Sequence, residues 1–118
     1  MELDWRVEYI DILAGDQLTP EFLALNPNGM VPVLEDDDFR LTESSAILKY
    51  LAEKSGSSAY PKDLKARARV NERMDWINTQ LGREFCYGVV YPQIFPHHKR
   101  RSTEAQEATL QWGKEHAQ

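Results

Sequence analysis

A mixed α/β segment followed by an all-helical one is the fold class this sequence predicts, and three observations predict it. Up to about residue 54, short β-branched and aromatic runs alternate with proline- and glycine-bearing turns. Ser55 to Asp63, SGSSAYPKD, gathers small residues around Gly56 and Pro61 and interrupts the periodicity. Beyond it, apolar residues recur at the three- and four-residue steps of helices. The predicted organisation is residues 1–54, a linker over 55–62 and a helical region over 63–118. No internal repeat is present.

The elements follow in order. Trp5 to Ile12, WRVEYIDI, predicts a half-buried strand ended by Gly15-Asp16. Thr19 is placed to cap a short helix that opens on Pro20, carries Phe22, Leu23 and Leu25, and stops at Asn26-Pro27-Asn28-Gly29. Met30 to Leu34 predicts a strand holding Pro32, which a central ladder would not tolerate. Glu35 to Asp38 reads as a solvated turn, and Phe39-Arg40-Leu41 as the returning strand of a hairpin. Ser44 to Lys54 predicts a helix with Ile47, Leu48, Tyr50 and Leu51 on nearly every side, hence buried, with Gly56 in the C′ position.

In the second half Asp63 is an N-cap. Leu64, Ala68, Val70, Met74, Ile77, Leu81 and Phe85 then describe one long helix to Val90, weakened at Gly82 and Gly88 and stopped by Pro92 and Pro96. Ser102 or Thr103 caps a last helix through Leu110 and Trp112, with Thr103 and Gln106 matching a capping box. Two or three strands and three full helices make a thin core, which predicts a piece of a larger chain.

Composition bounds the function. The 118 residues carry a net charge of −5, with 28% charged and 42% hydrophobic, an ordinary soluble balance that speaks against nucleic acid as the main partner. The single Cys86 excludes an intramolecular disulfide framework and a cysteine-cluster metal site. No apolar run approaches the roughly 20 residues of a membrane span, and the N-terminus lacks a signal peptide's pattern. A cytoplasmic location with no membrane partner is expected.

The informative chemistry lies in NPNGMVPVL, Asn26 to Leu34, and in ESSAI, Glu43 to Ile47, nine residues further on. A proline between Val31 and Val33 is a candidate for a cis bond, and it leaves the Val31 amide and carbonyl free to meet an extended peptide. A helix opening at Glu43-Ser44 offers unpaired N–H groups and a positive dipole end to a carboxylate. The Ser44 hydroxyl adds a hydrogen bond, and the Glu43 carboxylate suits an ammonium. Together they describe a receptor for a small zwitterion attached to a peptide backbone. Taken singly, Pro32 reads equally as an edge or turn proline, Ser44 as a cap and Glu43 as a surface acid.

This constellation resembles glutathione transferases, theta- and delta-like members above all, and the likeness runs from LAGDQLTPEFLALNPNGMVPVL through ESSAI and YPKD to YPQIF. The resemblance implies a partial thioredoxin-like glutathione-binding domain followed by the start of an all-helical C-terminal domain. Val31 would pair with the cysteinyl part of glutathione beside a cis Pro32, and Glu43 and Ser44 would hold the γ-glutamyl ammonium and carboxylate. Gln17 would face the glycyl end together with Met30, which stands where Lys, Gln or Thr is frequent, and Ser45 replaces a frequent Arg. Phe85, Tyr87 and Tyr91 are implied walls of an electrophile pocket, with core packing an equal reading. No residue of the chain matches the Ser, Tyr or Cys that activates the glutathione sulfur, which the family carries on an earlier strand and helix, so no catalytic residue is assigned.

The function implied is transfer of the glutathione thiolate to small electrophiles, with glutathione as co-substrate, no other cofactor and no metal. A homodimer through the long helix, where Arg67, Arg69 and Arg73 sit, is implied for the full-length form, and weak or no activity for this stretch alone. The alternative is a non-catalytic binding or assembly module of the same fold; a weaker one is a helical interaction domain whose basic loop meets anions. Three other features have plainer readings. Cys86 reads as a packed helical thiol with no base in neighbouring turns, His97-His98 with Lys99 to Arg101 as a solvated loop, and the acidic Glu35 to Asp38 as a hairpin tip without calcium-loop spacing.

Overall fold

The computed structural model describes residues 3–95 and 102–116, and the chain divides into two compact units, Met1–Lys62 and Asp63–Gln118. The first unit opens irregularly. Trp5, Val7 and Tyr9 are 76, 72 and 83% exposed, so the alternation of a half-buried strand is absent over 5–12. The correction has a simple cause: strand propensity needs an edge to pair with, and the sheet among the described residues has two strands, both further along the chain. Asp11 then turns the chain, its Oδ1 accepting from the Leu13 and Ala14 amides at 2.9 and 3.1 Å.

A single 3₁₀ turn, Asp16–Leu18, leads to helix α1, Pro20–Leu25. Thr19 caps it as its sequence predicts, the hydroxyl accepting from the Phe22 amide at 3.3 Å, with Pro20 in the first turn. Phe22 points inward at 5% exposure and, with Ile47 at 8%, forms the apolar centre of this unit. Each such burial stabilises by roughly 1.5–3 kcal/mol.

Strand β1 is Val33–Asp36 and strand β2 is Phe39–Thr42, paired antiparallel with Val33 opposite Thr42 and Asp36 opposite Phe39. Pairing thus starts after Pro32, because a proline offers no N–H to the ladder, and Met30 to Pro32 lie outside the strand predicted for them. Glu35 and Asp36 belong to the strand; only Asp37 and Asp38 make the turn, Asp37 at a φ of 54°. Helix α2, Ser44–Lys54, has the predicted bounds. At its end the Gly56 amide reaches the Glu53 carbonyl at 3.1 Å and Ser57 reaches Ala52 at 2.8 Å, a closure that needs the φ of 68° Gly56 supplies. The helix is not buried all round: Ile47 is, but Leu48 is 59% exposed, because the hairpin covers one side.

In the second unit, helix α3 spans Leu64–Trp76, with Asp63 Oδ1 accepting from the Ala66 amide at 2.9 Å. The predicted long α-helix then changes character. Ile77–Val90 winds as a π-helix, and α4, Tyr91–Ile94, follows without a break. Gly82 permits the wider turn: a Cβ there would lie 2.9 Å from the Ile77 carbonyl oxygen. Pro92 does not stop the helix but occupies the first turn of α4, where its missing N–H is tolerated. Helix α5, Thr103–His116, starts at Ser102, whose Oγ accepts from the Ala105 amide at 3.2 Å. The third helical residue is therefore Ala105, and the capping box read from Thr103 and Gln106 is out of register by one. Pro96 and the basic run His97 to Arg101 lie outside the described residues. Among the described residues no helix is long and apolar enough to cross a membrane.

Candidate functional site

The site residues of the first unit are placed by one buried polar side chain. Asn26, at 3% exposure, donates from Nδ2 to the Met30 carbonyl at 2.7 Å and accepts at Oδ1 from the Asn28 amide at 3.1 Å. Its own carbonyl accepts from the Gly29 amide at 2.9 Å. Gly29 is buried with a φ of 61°, and a Cβ there would meet Leu18 Cδ2 at 3.1 Å and the Gln17 carbonyl at 3.3 Å. Asn and Gly are thus required by geometry: the side chain of one satisfies two loop groups, the other fits a left-handed backbone beneath Leu18.

That loop delivers Met30 and Val31 to the surface, 41 and 42% exposed, immediately before a cis Val31–Pro32 bond. Among the described residues the Val31 main chain takes no part in the surrounding turn and cap hydrogen bonds. On the other strand, Thr42 is followed by Glu43 at φ 69° and ψ 113°, outside the ordinary regions for a non-glycine residue. Glu43 carries the first helical acceptor of α2, its carbonyl taking the Ile47 amide at 3.0 Å, and its side chain makes no cap hydrogen bond.

The register joins the two halves. Val33 and Thr42 face each other, so Pro32 and Glu43 both leave the same end of the hairpin. Paired Cα atoms lie about 5 Å apart and each next residue adds at most about 3.8 Å, so the Pro32 and Glu43 Cα atoms are within roughly 13 Å. An extended tripeptide spans roughly 10 Å. The gap is thus of the order of a small peptide's length.

Comparison with known proteins gives this arrangement its context. Residues 1–54 match the family described as "Glutathione S-transferase, N-terminal domain". Human glutathione S-transferase theta-1 is 39% identical over 97 residues, covering 80% of this chain and 40% of that protein. Human theta-2B is 41% identical over 113 residues, covering 87% and 46%. The chain belongs to the glutathione S-transferase family. A solved delta-class glutathione transferase of Nilaparvata lugens superposes with a TM-score of 0.74 at 39% identity, over 92% of this chain and 50% of that one. The fold is thus a thioredoxin-like part followed by the start of the helical domain, as its sequence predicts, and the chain spans less than half the length of the curated relatives it matches.

Against the glutathione-transferase expectation, Val31, Pro32, Glu43 and Ser44 come to one end of the hairpin, and Met30 adjoins them. Gln17 sits in the 3₁₀ turn under the Asn26 loop, its Nε2 donating to the Ile12 carbonyl at 3.4 Å while its buried Oε1 has no partner. A glycyl carboxylate needs the donor, which a half-turn of the amide would exchange for the acceptor. Phe85, Tyr87 and Tyr91 belong to the second unit. Tyr87 and Tyr91 meet edge-on at 4.7 Å between centroids, and Tyr91 meets Phe95 at 6.0 Å. Among the described residues no group of three or more metal-ligating side chains assembles.

Sequence reasoning passed over polar contacts that tie the turn end of the hairpin to α1 and α2. Arg40 on β2 donates to Glu35 at 3.0 Å and, from its other terminal nitrogen, to the Ala24 carbonyl of α1 at 3.2 Å. Asp36 receives both the Tyr50 hydroxyl, at 2.5 Å, and the Lys54 ammonium. The Lys54 and Tyr50 hydrogen bonds hold the Asp36 carboxyl below its ordinary range, while Asp36 pushes Tyr50 and Lys54 up. A spacing of 14 residues has no local pattern to reveal it; only the hairpin brings Asp36 back to α2.

Proposed function

We propose that this chain carries the glutathione cradle of a glutathione transferase, in which the glutathione thiolate attacks a small electrophile. Membership of the family supports the class, and the shared hairpin end of Val31–Pro32 and Glu43–Ser44 carries the assignment of the site. In this reading the free Val31 main chain pairs with the cysteinyl residue. The first turn of α2 and the Ser44 hydroxyl hold the γ-glutamyl carboxylate, and Glu43 holds the ammonium. Gln17 and Met30 flank the glycyl end. Phe85, Tyr87 and Tyr91 are proposed for the electrophile side, and the active form is proposed as a cytoplasmic homodimer. These residues bind and orient. Stabilising the thiolate takes a donor or positive charge near sulfur, a role that falls to none of them.

Retention on immobilised glutathione tests the cradle. The wild-type chain is expected to bind, and Glu43→Ala with Ser44→Ala to elute freely. Each lost charge-assisted hydrogen bond costs about 1.5–3 kcal/mol, or about 10- to 150-fold in affinity. Undiminished retention of the double variant would remove the site assignment. Retention by a full-length form that conjugates no generic electrophile would turn the reading toward a binding module.

A further inference from the structure

The C-terminal half of α2 is fastened to the hairpin at one carboxylate. Asp36, the last residue of β1, accepts from Tyr50 near the middle of α2 and from Lys54 at its end. The Tyr50 ring also lies against Phe39, the first residue of β2, at 5.2 Å between centroids, and Lys54 sits 5.9 Å above the same ring. At its other end α2 follows β2 through one intervening residue, Glu43, held at a φ of 69°. Such a backbone conformation persists only where its surroundings fix it. Ile47 anchors the first half of α2 in the apolar centre, so the contacts of Asp36 and Phe39 are what fix the direction of its second half.

We propose that Asp36 is a positioning residue for ligand binding: through Tyr50 and Lys54 it sets the direction of α2, and thereby the place of the Ser44 turn beside Val31–Pro32. Asp36 touches no ligand in this scheme; its effect is transmitted through the rigid helix. The ligand part rests on the glutathione reading above, whereas the helix-setting part does not.

Tyr50→Phe is the clean variant, since it keeps the ring on Phe39 and removes only the hydroxyl; Asp36→Asn removes the charge that Lys54 meets. Two readouts are taken on the whole chain: amide hydrogen exchange without ligand, and glutathione affinity by calorimetry. The proposal expects the Ile47 amide, which closes the first turn on Glu43, to exchange about tenfold faster in either variant while the Asn26 amide on Phe22 is unchanged. It expects glutathione affinity to fall about tenfold in the same variants, equivalent to about 1.4 kcal/mol. Unchanged Ile47 exchange overturns it whatever glutathione does. Faster exchange with wild-type affinity in the variants overturns the positioning role. Faster exchange in a chain whose wild type binds no glutathione upholds the helix setting and rejects the glutathione reading instead.

Discussion

Asn26 and Gly29 shape the loop that carries Val31. Asn26 spends its amide on Met30 and Asn28, so replacing it with Ala leaves a loop carbonyl and an amide without their partner in a nearly water-free place. The expected loss is about 1–3 kcal/mol in urea unfolding, with Val31 displaced from its neighbours. Gly29→Ala acts by a different route. Its φ of 61° and the 3.1 Å approach of Leu18 make any Cβ a strain, and at least about 1 kcal/mol should go with it. Equal unfolding midpoints for wild type and both variants would show that the loop repacks at no cost. Both residues were visible in NPNG as a helix stop; their geometric work was not, since it depends on which carbonyl comes back within reach.

At the scale of elements, legibility follows how local each cause is. Thr19, Asp63 and Gly56 act within one turn of themselves, so helix ends at Thr19, Asp63 and Lys54 could be read directly from the sequence. Trp5 to Ile12 has the composition of a strand, but a strand also needs a neighbour, which lies beyond its own residues. Gly82 was legible as a weak point, yet the π geometry depends on how a Cβ would meet Ile77, not on propensity. In the candidate site, VP and ES were legible as chemistry, and their meeting was fixed by the hairpin register. The fastening of α2 was illegible, because acidic residues at a turn ordinarily face water. It makes a pH prediction. Asp36 has its folded pKa below the unfolded value of about 3.9, so its contribution is present above that value and lost as pH falls through the folded one. Tyr50, Lys54 and the neighbouring Asp37 are the charged or titratable groups acting with it. Urea midpoints of wild type and Asp36→Asn should differ at about pH 6 and converge below about pH 4. A constant gap down to about pH 2 would mean that the carboxylate charge contributes nothing.

For the molecule as a whole, the balance between burial and order sets what ligand binding should do. Among the described residues only Phe22 and Ile47 are buried large hydrophobics, whereas Trp5, Tyr9, Leu13 and Leu64 are more than three-quarters exposed. Ordering one residue costs about 1–2 kcal/mol, against about 1.5–3 kcal/mol returned by one buried large side chain, so a core this small leaves little margin. The chain is expected at the low end of protein stability, about 5 kcal/mol or less. A bound ligand at about a hundred times its Kd adds about 2.7 kcal/mol, which is then a large fraction of the total. For a domain of this size that corresponds to a rise of roughly 10 °C or more in melting temperature. Because the chain forms two compact units, melting followed by circular dichroism can show two transitions, and the rise belongs to the one carried by Met1–Lys62. Saturating glutathione should move that transition in wild type and leave it in place in the Glu43→Ala, Ser44→Ala double variant. A wild-type transition that stays fixed up to millimolar glutathione would mean that the hairpin end is not a glutathione site.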